Sequence, residues 1–144
     1  MFRTLVGLFV LSAPLFAAPA DLKGKWELEG LRCKSGEAPK DVRDVKVKME
    51  FQEENFRVDM QETDGDRKVE MNQIGRYAAN STTLFMIVYT LKANIDVSAS
   101  EGFTSATSYR FEQGKLFLVQ PKEKSDEFCG EGVEAALVFK KQAP

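Results

Sequence analysis

The sequence predicts an all-β protein: an eight-stranded antiparallel up-and-down meander closed into a barrel. Three observations lead there. Apolar and charged residues alternate through most of the chain, the period-two pattern of half-buried strands, and helical periodicity is scarce. Turn signals recur at short, regular spacing. The strands number eight, and closing the meander removes the two unprotected edges an open sheet would keep. The length, 144 residues, suits a single domain.

The first segment stands outside that fold. Arg3, an apolar run from Leu5 broken by Pro14, and the small residues Ala17-Ala18-Pro19-Ala20 have the form of a secretory signal peptide over 1–20. Cleavage is expected after Ala17 or Ala20. The run is too short and too interrupted to cross a bilayer as a helix. Residues 21–144 then form the single barrel domain.

Each strand follows from its alternation. Trp26 and Leu28 alternate with Lys25, Glu27 and Glu29 in a first strand, 23–32. Val45, Val47, Met49 and Phe51 alternate with Lys46, Lys48 and Glu50 in a second. Phe56, Val58 and Met60 form a third, after a tight turn at Glu54-Asn55. Asp64-Gly65 supplies the positive φ that hairpin turns require, and Val69 and Met71 open a fourth strand. Asn80-Ser81 turns into a fifth, Thr82 to Leu91, apolar on both faces. The sixth runs from Thr104 to Glu112. Gln113-Gly114 turns it into a seventh, Lys115 to Gln120, ended by Pro121. The eighth is Gly132 to Lys141.

Sequential strands usually neighbour each other, so closure places strand 8 antiparallel beside strand 1. Cys33 follows strand 1 and Cys129 precedes strand 8, so the two face each other across the seam. In a secreted chain with two cysteines a disulfide is the default. The connections are asymmetric: 33–43, 92–103 and 121–131 crowd one end with the short 63–66, while 53–55, 79–81 and 113–114 sew up the other.

Composition limits function. The 20 Lys plus Arg against 22 Asp plus Glu give a net charge of -2, without the basic stripe of a nucleic-acid binder. The absence of histidine removes Ser-His-Asp and Cys-His catalysis and His-ligated zinc. No catalytic residue, metal or cofactor is expected, and the chain does not read as an enzyme.

Gly24-Lys25-Trp26 at the start of strand 1 resembles the Gly-x-Trp motif that opens lipocalins and their calycin relatives. The resemblance covers about 22–141. It implies that Trp26 plugs the closed end of the barrel beneath a basic residue of the last strand, here Lys140 or Lys141. The second lipocalin motif, Thr-Asp-Tyr, is missing at 113–114, and the expected form is a reduced barrel without the C-terminal helix.

Three features could carry function. The first is the lumen, either filled by side chains or holding one small ligand; inward residues near the open end are expected to include Leu28, Gly30, Val47, Met60, Met71, Tyr109 and Ala135. Gly30 and Ala135 are small enough to leave room, and methionines adapt to loosely specified apolar ligands. The second is the fifth strand, which has apolar residues on both faces. One set leaves an exposed row, which either meets a second copy or a protein partner or is covered by Ile95, Val97 and Phe103. The third group comprises turn-like motifs. Asp64-Gly65-Asp66 lacks the spaced ligands of a calcium loop, and Cys129-Gly130-Glu131-Gly132 suits a turn beside a disulfide. Asn80-Ser81-Thr82 has sequon form. The expectation is a secreted or periplasmic barrel, not membrane-spanning, that takes a small apolar or amphipathic ligand at the long-loop end. The alternative is a protein-interaction module, an inhibitor or assembly partner, with a filled barrel.

Overall fold

The structure is a computed structural model and describes residues 20–40, 44–95 and 102–144. The segment expected to be a signal peptide, residues 1–19, and Val97 in the connection after the fifth strand lie outside the described residues.

Eight strands form one closed antiparallel barrel in sequence order: β1 (Gly24–Cys33), β2 (Asp44–Phe51), β3 (Asn55–Asp64), β4 (Arg67–Ala79), β5 (Thr83–Ala93), β6 (Thr104–Glu112), β7 (Lys115–Val119) and β8 (Ala135–Lys141). β8 returns to β1, with Trp26 opposite Lys141 and Cys33 opposite Ala135. Alternation selects the faces. On β2 Val45, Val47, Met49 and Phe51 join the core while Lys46 and Lys48 are exposed. Gln113 and Gly114, with φ of 51° and 75°, make the tight turn between β6 and β7.

The barrel is sealed at one end and parted at the other. At the short-loop end every neighbour is paired. Toward the long-loop end β1 leaves β2 after Glu27–Lys48. The β5–β6 register ends at Ile87–Thr104, followed only by bonds between Val88 and the 102–103 backbone. Among the described residues β5 continues on β4 alone to Ala93.

Two bulges reset the alternation. On β1 the register slips between Leu28 and Gly30, so the inward series continues at Leu31 and Cys33 rather than Gly30. On β4–β5 it slips at Ile74/Gly75, and the inward residues of β5 run Leu84, Met86, Val88 and then Leu91. At this second bulge Gly75 is essential: a Cβ there would lie 1.9 Å from the Ile87 carbonyl oxygen and 2.8 Å from the Phe56 ring.

The connection after β7, expected to be a loop, holds a helix, α1 (Lys122–Cys129). It is short, and its surface ion pairs, Lys122–Asp126 at 2.6 Å and Lys124–Glu127 at 3.1 Å, leave too few apolar positions to show a helical period. Ser125 fixes it: its hydroxyl donates to the Gln120 carbonyl and accepts from the Ala135 amide. Positive φ at Gly130 and Gly132 delays β8 to Ala135. Among the described residues no helix is long and apolar enough to cross a membrane.

Candidate functional site

The lumen has a floor, a wall and a mouth. The floor is built on Trp26, whose indole N–H donates to the Leu22 carbonyl at 2.9 Å. Lys141 Nζ stands 5.4 Å from the Trp26 ring centroid, a cation–π distance. Gly24, with φ of 123°, leaves room for that lysine: a Cβ at Gly24 would come within 3.0 Å of Lys141 Cε. Lys140 lies on the outer face, opposite Glu27. Phe111 packs 6.0 Å from Trp26, and Phe51 meets Tyr77 edge-on at 4.9 Å.

Two tyrosines tie the floor to the short loops. Tyr77 donates its hydroxyl proton to the Gln52 carbonyl and Tyr109 to the Asn80 carbonyl. Burial pushes both phenol pKa values up, with Glu53 adding to the effect at Tyr77.

Burial falls from the floor toward the mouth most clearly on β2. On β2 the inward residues are exposed by 1% at Phe51, 5% at Met49 and 9% at Val47, and Val45 is only half-buried. On β1 Trp26 is buried and Leu28 half-buried, and on β8 Phe139 is buried and Leu137 half-buried; on β5 half-buried Met86 lies between buried Leu84 and Val88, with Leu91 half-buried beyond them. Met60 and Met71 face each other across β3 and β4, both half-buried. The upper wall is thus an apolar surface in contact with solvent.

The mouth is narrowed on one side by α1. Cys33 bonds Cys129, with Cα atoms 5.5 Å apart. Cys33 shares its face with Leu31 and Leu137, so the disulfide holds the helix on the inner side of β1 and β8. Leu31, Phe128 and Val133 pack around it, and the Lys40 amide donates to the Phe128 carbonyl at 2.8 Å. Asp126 joins the helix to the following turn by accepting from the Gly132 amide at 2.9 Å. The Lys122 hydrogen bond, then that amide, hold its carboxyl below its ordinary pKa.

The structure distributes the expected lumen residues unevenly. Leu28, Val47, Met60 and Met71 line the wall. Gly30 is corrected to the outer face: the β1 bulge pairs it with Val138, which belongs to an outer cluster with Phe117 and Ala136. Arg110 and Arg32 cover that cluster, their guanidinium carbons 5.1 and 5.9 Å from the Phe117 ring centroid. Tyr109 is corrected from the open end to the floor, because strand stagger sets Ser108 level with Thr83 at the base of β5. Ala135 faces inward but is fully buried under the disulfide and does not open the lumen. Leu31, Leu91, Gln73, Ser105 and Thr107 complete the inner face. The bulges hid the first two; the last three are polar and gave no apolar signal.

Two further features lie on the outside. Shallow grooves of about 370 and 520 Å³ run over β1–β3 and β3–β5, lined mostly by outward polar residues such as Lys48, Arg57, Asp59 and Asn72. The large exposed apolar side chains of the described residues are Ile74, Phe85, Tyr89 and Phe103; the first three lie on the outer wall over β4–β5, whereas Phe103 stands opposite inward Val88. Phe103 is 56% exposed and does not cover that wall. Among the described residues no three acidic or cysteine side chains converge as a metal site.

These features define a small antiparallel barrel with a plugged floor and a solvent-reached apolar mouth. No protein-family model, curated protein or solved structure matches the chain.

Proposed function

We propose that the chain is a secreted or periplasmic lipocalin-like barrel, a reduced calycin relative, that binds a small apolar or amphipathic molecule in the upper lumen. The observation that carries this reading is the burial gradient from Phe51 at 1% to half-buried Val45. A filled barrel has no reason to leave inward Leu28, Met60, Met71 and Leu91 in contact with water, because each exposed apolar area forfeits burial free energy. A ligand would cover that surface.

The Trp26–Lys141 floor supports the calycin relationship, and the disulfide suits an oxidising compartment. Charges on the outer faces of β1–β3, such as Lys25, Glu50 and Arg57, suit a barrel surrounded by water rather than lipid. The proposed role is binding, with no catalytic step. Native mass spectrometry of the purified mature protein tests it. The expected result is a co-purified small molecule, or uptake of one added apolar molecule per barrel; a barrel that takes up neither contradicts the reading.

A second reading rests on the outer apolar wall. Exposed Ile74 and Tyr89 would meet a second copy or a protein partner, making the chain an interaction module. Sedimentation decides it: a dimer split by Tyr89→Lys favours this reading, and a monomer at all concentrations removes its self-association form.

A further inference from the structure

The inner wall of the barrel carries polar groups that the protein itself does not use. Thr107 pairs with Leu84 and Ser105 with Met86; Leu84 belongs to the core and Met86 packs against it. Paired residues of neighbouring strands share a face, so both hydroxyls face the lumen. Gln73 pairs with Val58 on one side and Leu91 on the other, which places it on the same inner surface.

Among the described residues no protein group bonds the Ser105 or Thr107 hydroxyl. The Gln73 amide donates only to the Met71 sulfur at 3.4 Å, a weak acceptor. Yet no side-chain polar atom of the described residues is both unbonded and cut off from solvent. These three groups therefore open onto solvent inside an otherwise apolar wall, with donors and acceptors to spare.

The charges on that wall are as telling. Between the Trp26–Lys141 floor and the Asp64–Arg67 hairpin tip, the inward positions of the described strands include no Lys or Arg. Within that span the one charged inward side chain is Glu62, between Val45 and Val69. An anionic head group would enter a low-dielectric wall without a counter-charge, and an unpaired charge is costly there. A neutral hydroxyl or carbonyl would instead find the amide and hydroxyls already placed.

We infer that the upper lumen selects an uncharged amphiphile, an apolar body carrying a hydroxyl or carbonyl group, over a carboxylate of the same length, with Gln73, Ser105 and Thr107 as its polar contacts. The inference rests on the binding role proposed above, and its test separates the two. The mature protein is loaded with an environment-sensitive naphthalene dye, and the dye is competed off with 1-decanol or with decanoate at about pH 8, where the carboxylate is ionised.

The expected result is that decanol competes at least about tenfold more strongly than decanoate, the effect of one well-matched polar contact. The Gln73→Leu/Ser105→Ala/Thr107→Val variant, checked for a native circular dichroism spectrum, should narrow that preference to within about threefold. Dye uptake with decanoate competing as well as decanol, or a preference unchanged in the folded variant, overturns the inference and leaves the binding role standing. No uptake of dye and no binding of either competitor overturns both. The wild-type comparison stands even where the triple variant fails to fold.

Discussion

Replacing both Cys33 and Cys129 by alanine should cost the barrel a large share of its stability while leaving its folded form in place. The bridge joins residues 96 apart in sequence. In the chain-entropy view such a loop restricts the unfolded chain by about 4.7 kcal/mol. Unfolding entropy near 2.1 cal/mol/K per residue gives roughly 0.25 kcal/mol/K for about 120 ordered residues, so Tm should fall by about 15–20 °C. Two cysteines exposed by only 6% and 8% leave a further small void. Trp26, the single tryptophan, is buried in the floor, away from the bridge, so its fluorescence reports the barrel rather than the mouth. Denaturation in guanidinium followed by that signal should show the lost stability together with a higher m-value, because the released unfolded chain exposes more surface. A loss below about 1.5 kcal/mol with an unchanged m-value would refute the view that the bridge acts chiefly on the unfolded chain.

Other residues give sharper local tests. Gly75→Ala must push β4 from β5, since the new methyl would meet the Ile87 carbonyl at 1.9 Å; a cost of about 3 kcal/mol or more is expected, and a near-native melting temperature would show the bulge to be compliant. Tyr109→Phe removes the bond to the Asn80 carbonyl and should cost about 1–2 kcal/mol at neutral pH. Because burial raises the Tyr109 pKa, its contribution is present below the ordinary phenol value and lost as pH rises through the raised one. The alkaline limb of the stability curve should therefore flatten in the variant, and an unchanged limb counts against the assignment. Asp126 has the opposite sign. Its pKa is lowered by Lys122 and then by the Gly132 amide, so its contribution is present above the ordinary carboxylate value and lost as pH falls through the lowered one. Asp126→Asn should flatten the acid limb of urea midpoints against pH, and a wild-type limb would show that the staple on α1 carries no stability.

The residues that could be read from sequence were those whose signal is periodic or topological. Alternation in β2, β3 and β8 marked the strands, and the even count with short turns at one end indicated closure. Once β8 lay beside β1, the positions of Cys33 and Cys129 brought them together. The failures share one cause: a local event that breaks the period. A single extra residue on β1 turned Gly30 outward and Leu31 inward, and nothing in Glu29 announces a bulge. The level of Tyr109 depends on barrel stagger, which no single strand encodes. α1 escaped because eight largely charged residues hold their place through Ser125 and a disulfide rather than through an apolar stripe. On the inner wall, Gln73, Ser105 and Thr107 are ordinary strand positions until the register shows which way they face.

The barrel's methionine methyls report ligand entry into the lumen without altering the wall. Met60 and Met71 line the half-buried upper wall and Met86 faces the lumen half-buried between Leu84 and Val88, whereas Met49, opposite Trp26, is 5% exposed. Methyl-labelled mature protein titrated with 1-decanol should show Met60, Met71 and Met86 resonances moving together and saturating, with Met49 nearly still. Met60, Met71 and Met86 resonances that stay fixed at high decanol would contradict a lumen that takes a ligand.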